Sequence, residues 1–180
     1  MTAFRVKIFI YTVIAAAAAV FLHIFEHECG HLLVMLGAGS TITEFSVLHA
    51  HVSGVGGSFT LMTELLFNVS GALLPYLLGL LTIALYRRKA KNHFYRIFVF
   101  LRTLIAASSL MSWVIIPVQY MHSRAPRTDD VTKFLDLTAD KIHPLIISNT
   151  AVCLILVMII CMFLRDISRN YVLTIKSLRL

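Results

Sequence analysis

Charge is the scarcest property of this chain. Asp, Glu, Lys and Arg together make up 14% of its 180 residues, whereas 58% are hydrophobic, and the mean hydropathy is +0.83. Soluble globular domains carry about a quarter charged residues, so this composition excludes that class and points to a membrane. Acids are scarcer still, 9 against 16 Lys and Arg, for a net charge of +7. That excess reads as a topology signal with an added attraction for anionic headgroups, and it gives no support to a nucleic-acid partner. Cysteine is also rare. Cys29, Cys153 and Cys161 all fall within apolar stretches, which excludes a disulfide framework and leaves them as small hydrophobes.

Long uncharged runs are what the chain has in quantity. They occur at Ile8–Phe25, Leu65–Tyr86, Thr103–Met121 and Pro144–Leu164, each long enough to cross a hydrocarbon core of roughly 30 Å. The expectation is an all-α polytopic membrane protein, a single membrane-embedded domain over residues 1–180. Its four transmembrane helices would cover about 4–36, 65–86, 97–121 and 144–164, with an outer acidic loop at 122–143. Arg5 and Lys7 before an alanine-rich apolar run resemble a signal peptide, but the apolar pattern continues without a break to Leu36 and stops at Gly37 and Gly39. A retained helix is therefore expected. Residues 40–63 differ in character, rich in β-branched residues, Ser and Gly. Gly54, Gly56 and Gly57 read as a turn between Thr41–Val52 and Ser58–Met62, giving a β-hairpin or a re-entrant loop. On such a strand His49 and His51 would share one side and face solvent.

Basic residues sort by segment. Arg5 and Lys7 precede the first span; Arg87, Arg88, Lys89, Lys91, Arg96 and Arg102 lie between the second and third; Arg165, Arg169, Lys176 and Arg179 follow the fourth. The first connection has none, and the third mixes Arg124, Arg127, Lys133 and Lys141 with four Asp residues. Both termini are therefore expected in the cytoplasm, with the protein in the cell membrane.

The pattern that carries chemistry is His27-Glu28-Cys29-Gly30-His31, or H-E-x-x-H, at the far end of the first apolar run. Residues four apart on a helix share one face about 6 Å apart along the axis, so both imidazoles can close on one zinc ion. Glu28 then stands beside the metal, placed to take a proton from a zinc-bound water whose pKa falls to roughly 7. Cys29, between the two histidines, could also ligate metal, but its position on the helix points it about 200° away from His27. Charged side chains in hydrocarbon cost on the order of 2.5–3.5 kcal/mol on insertion scales, so Glu26, Glu28 and nearby His23 imply a polar cavity. His23 reads as a polar group satisfied by another helix, and Glu26 has no evident role.

A hydrolytic zinc usually has three protein ligands and one open position. Candidates for the third are Glu26, Glu44, Glu64, Asp129, Asp130, Asp136, Asp140 and Asp166. Asp129 and Asp130 stand out because they open a helical-looking stretch, Asp130 to Ala139, on the expected side of the membrane. Their ordinary reading is an N-cap pair.

The H-E-C-G-H motif at the end of a first membrane helix resembles the H-E-x-G-H of the site-2 protease family of intramembrane zinc metalloproteases. Four looser features resemble its small bacterial, peptidase-like branch. They are Gly54-Val55-Gly56-Gly57, Ser70-Gly71-Ala72-Leu73-Leu74-Pro75, Asp129-Asp130 and Phe134-Leu135-Asp136-Leu137-Thr138. That branch has an Asp followed by a large apolar residue four positions on and Thr eight positions on. Asp130 fits with Phe134 and Thr138, whereas Asp129 does not. The resemblance thus implies zinc held by His27, His31 and Asp130, with Glu28 as catalytic base. It also implies a membrane protein or peptide as substrate. Asn68 lies near where the family often places an Asn that holds the substrate backbone, although its spacing from Gly71 and Pro75 departs from the usual one; its ordinary reading is a helix-packing amide. The family's Asn-Pro-Asp-Gly and Leu-Asp-Gly segments are missing, and 180 residues leave no room for a PDZ or CBS domain. Other classes compatible with these residues are an inactive protease-like scaffold that binds a membrane partner and a metal transporter. Against the transporter stands the scarcity of polar residues in the third and fourth spans.

Overall fold

The computed structural model describes residues 3–138 and 164–177 together with residues 140, 143, 151, 152, 154, 155 and 158. The chain runs α1 (Ala3–Gly37), β1 (Ser40–Ser46), β2 (His51–Gly56), α2 (Leu61–Ala84), α3 (His93–Ser108), a 3-10 turn (Ser109–Met111), α4 (Ser112–Met121), α5 (Asp130–Thr138) and α6 (Leu164–Lys176). Among the described residues three helical segments are long and apolar enough to cross a membrane: Phe4–Gly37, Leu61–Ala84 and the continuous His93–Met121. The expected fourth span, with Cys153 and Cys161, falls largely outside the described residues.

The first helix has no proline, and one face is built of small residues. Ala15 and Ala19 are fully buried, so α3 approaches closely and Ile8, Ala15 and Ile97 form a cluster. Its other faces expose Phe9, Val13, Ile14 and Phe21, as a lipid-facing surface would. Gly30 brings α1 against α2 backbone to backbone: a Cβ there would run into the Ser70 carbonyl. Gly79 lets α2 and α3 approach closely, since a Cβ there would meet the Ala106 Cβ at 2.8 Å.

The hairpin exists, but its turn is not at the glycine cluster. The strands pair antiparallel from Ser40↔Gly56 to Ser46↔His51, with a bulge between Ile42 and Glu44, so the reversal falls at residues 47–50. Ala50 takes φ +47° there. Gly54 is instead a close-approach position within β2: a Cβ would lie 2.8 Å from both the Met35 Cε and the Thr41 carbonyl oxygen. Gly56 and Gly57 adopt φ +73° and +83° and lead the chain out of the sheet. His49 consequently sits in the turn and His51 at the start of β2, both exposed. The expected strand at Ser58–Met62 is absent because Thr60 caps α2, its side chain accepting from the Thr63 amide while the Thr63 hydroxyl bonds back to the cap. The helix therefore begins four residues before the expected 65. In the same way Asn92 caps α3 through the Tyr95 amide, which starts the third span at His93 rather than 97.

Arg102 is the other correction. It does not belong to a cytoplasmic connection but lies inside α3, 1% exposed, where it donates to the Glu26 carboxylate of α1. Removing one partner of a buried pair strands the other, at about 3–5 kcal/mol. Arg102→Met is therefore expected to lower the thermal unfolding temperature in detergent sharply, and Glu26→Met combined with Arg102→Met to recover most of the loss.

The amphipathic spacing of Val131, Leu135 and Thr138 buries one face of α5. Val131 and Leu135 join Tyr76, Trp113 and Ile116 in the main core, Phe134 meets Trp113 edge-on at 5.2 Å, and the Tyr120 hydroxyl donates to Asp136 at 2.8 Å. α5 is thereby fixed against the bundle with its first residue, Asp130, aimed at α1.

Charge is segregated along the bundle. The start of α1 meets the start of α3, with Phe4 and His93 rings 5.7 Å apart, and α6 reaches the α2–α3 loop. Arg5, Lys7, Arg87, Arg88, Lys89, Lys91, Arg96, Arg165, Arg169 and Lys176 therefore share one end, whose one acid is Asp166. H-E-x-x-H lies at the other.

Candidate metal centre

His27 and His31 are one turn apart on α1, and α2 and α5 close over them. The structure brings them together with Asp130, the three residues offering one ligand atom each within a span that suits a metal ion. His31 Nε2 stands 3.1 Å from His27 Nε2 and 3.0 Å from Asp130 Oδ2, and His27 Nε2 is 3.4 Å from that same oxygen. Ligands about 2.0–2.1 Å from a tetrahedral ion stand about 3.3 Å apart, so this triangle matches three corners of one coordination sphere.

The donor chemistry agrees with the geometry. His31 Nδ1 is 2.9 Å from the Phe67 carbonyl oxygen. A carbonyl only accepts, so that nitrogen carries the proton and Nε2 presents a lone pair to the cluster. The Lys133 ammonium lies beside the Asp130 carboxyl and favours its anionic form. Asp130 is thus anionic at neutral pH. Lys133 Nζ donates to its other oxygen, Oδ1, at 3.3 Å, leaving Oδ2 for the histidines. Electron-rich atoms this close repel unless a proton or a metal cation lies among them, and a residue set of two imidazoles and one carboxylate can hold a metal ion.

The acidic pair divides its labour. Asp129 Oδ1 accepts from the Val131 amide at 2.9 Å, so it caps α5 as the ordinary reading expects. Asp130, one residue on, is the one that reaches the histidines. Cys29 stays outside the cluster.

In front of the triangle is a cavity of about 680 Å³ whose wall includes His27, Glu28, His31, Asp130, Lys133 and His51. It falls within the roughly 300–1,000 Å³ typical of ligand sites. Glu28 is 4% exposed and shares this cavity with all three donors. Asn68 is buried on α2, its amide donating to the Glu64 carbonyl at 3.0 Å. It lines two neighbouring cavities of about 380 and 210 Å³, the second of which also touches His23, His27 and Asp130.

Several contributors were not evident from the sequence. Gly71 lies directly against the imidazoles: a Cβ would sit 2.6 Å from His27 Cε1 and from His31 Nε2. Pro75, four residues later, has no N–H for the Gly71 carbonyl, which therefore lacks its helical partner. The Phe67 carbonyl is a tertiary partner, which no spacing rule reveals, whereas Lys133, three residues after Asp130 on α5, is a pair that helical spacing does reveal. Glu26 and Arg102 did leave a signal, each being a charge isolated in apolar surroundings, which calls for a partner. No protein-family model, no curated protein and no solved structure matches this chain.

Proposed function

We propose that the chain is an intramembrane zinc metalloprotease of the site-2 protease kind, hydrolysing a peptide bond in or next to the membrane. The observation that carries this reading is the convergence of His27, His31 and Asp130 on one point, with the buried Glu28 on the same cavity. When bound, zinc supplies Lewis acidity that lowers the pKa of water to about 7 and polarises a carbonyl. The protein's own groups do the rest. Glu28 takes the proton released as water oxygen attacks the scissile carbonyl carbon, and returns it to the amine nitrogen as the C–N bond breaks. Phe67 and Lys133 hold His31 and Asp130 in ligating orientation. Asn68 keeps its carbonyl oxygen for an extended substrate backbone.

Position supports a membrane substrate. From Lys7 to His27 the helix rises about 30 Å, the thickness of a hydrocarbon core, so the site stands at the opposite boundary from the basic end. With that end in the cytoplasm, a multi-pass protein of the cell membrane would open its site towards the far face. A chelator is expected to abolish cleavage of a reconstituted transmembrane peptide by the purified protein, and added zinc to restore it. Cleavage indifferent to chelation would refute a metalloprotease.

A further inference from the structure

At the end of the bundle away from the metal centre, α6 packs against α3 and also reaches α1 and the α2–α3 loop. Asn170 donates to the Tyr86 hydroxyl at 2.7 Å and to the Arg88 carbonyl at 3.0 Å, beyond the end of α2. Tyr171 stacks on Phe100 of α3 with centroids 4.0 Å apart. Ile175 joins the cluster of Ile8, Ala15 and Ile97 between α1 and α3. Ile167 and Thr174, at 1% and 0% exposure, complete this docked face. The opposite face is built otherwise. Arg165, Arg169, Val172, Leu173 and Lys176 are all exposed and recur at helical spacing, so three cations flank two apolar side chains. Beside them the α2–α3 loop exposes Arg87, Arg88, Lys89 and Lys91, of which Arg88 pairs with Asp166 at 3.1 Å.

We infer that α6 and the α2–α3 loop form a docking surface for anionic phospholipid headgroups. A helix tied to the loop that joins two membrane helices is placed near the level of the headgroups. Its cations meet phosphates there while Val172 and Leu173 enter the acyl boundary, the arrangement of interfacial amphipathic helices. Each juxtamembrane cation favours an anionic leaflet by on the order of fivefold. The docked face ties that recognition to α1 and α3, the helices that carry the H-E-x-x-H motif and its Arg102 support.

The test is lipid retention by the purified full chain. The protein is reconstituted in nanodiscs of equal phosphatidylglycerol and phosphatidylcholine, re-extracted, and its bound lipid is counted by mass spectrometry. Phosphatidylglycerol is expected to be enriched over phosphatidylcholine, and enrichment is expected to fall by at least about tenfold in the triple variant Arg165→Gln, Arg169→Gln, Lys176→Gln. Lysine at Arg165 and Arg169 should preserve it, and Arg124→Gln with Arg127→Gln, at the other end, should leave it unchanged. Equal retention of the two lipids by the wild type would overturn the proposal without recourse to any variant. Loss of the enrichment in excess inorganic phosphate, but not in chloride of equal ionic strength, would also overturn it, by assigning the cations to a soluble anion.

Discussion

Gly71→Ala is expected to empty the metal centre, lowering zinc affinity by at least about 100-fold. The added methyl carbon would sit 2.6 Å from both His27 Cε1 and His31 Nε2, inside any permissible contact distance, so an imidazole must swing out of the triangle. Retreat of α2 would break the close backbone contact that α1 and α2 make at Gly30. Helix propensity works the other way: alanine favours a helix over glycine by about 1 kcal/mol. The damage should therefore be local, with zinc lost while secondary structure and detergent-solubilised size are kept. Gly37→Ala is the matched control, since a Cβ there has nothing within 4 Å, and it should bind zinc as the wild type does. Full zinc retention in Gly71→Ala would show that the two imidazoles do not face a metal across Gly71.

Glu28→Gln separates the two halves of the proposed mechanism. Glutamine keeps the shape and hydrogen-bonding reach of glutamate but cannot take a proton, and general acid–base groups contribute about 10²–10⁴-fold. Zinc content should stay at the wild-type level while single-turnover cleavage of a transmembrane peptide falls by that factor. His31→Ala should lose both together. Undiminished cleavage in Glu28→Gln would remove Glu28 from the chemistry.

How far the sequence reached depended on whether a feature was local or tertiary. The apolar runs identified three membrane-length helices because hydropathy is a property of the segment itself, and H-E-x-x-H placed His27 and His31 together because one helical turn fixes their spacing. Helix starts were less legible, since Thr60 and Asn92 act through single side-chain bonds that apolar periodicity does not register. The hairpin turn was misplaced for a related reason. Its glycines serve close approach to Met35 and exit from the sheet, while the reversal itself uses Ala50 at positive φ. Asp129 and Asp130 are equivalent by composition, and only the docking of α5 through Val131 and Leu135 turns one into a cap and the other towards α1. Glu26 and Arg102, 76 residues apart, are understood only once α1 lies on α3.

The most direct test of the account is metal content, measured by mass spectrometry on detergent-purified wild type, Asp130→Ala and Asp129→Ala. The account predicts about one zinc per chain in the wild type, none in Asp130→Ala, and near-wild-type zinc in Asp129→Ala, whose lost cap costs about 1 kcal/mol of helix stability but no ligand. A wild-type protein without metal, or an Asp130→Ala protein that keeps it, would contradict the site.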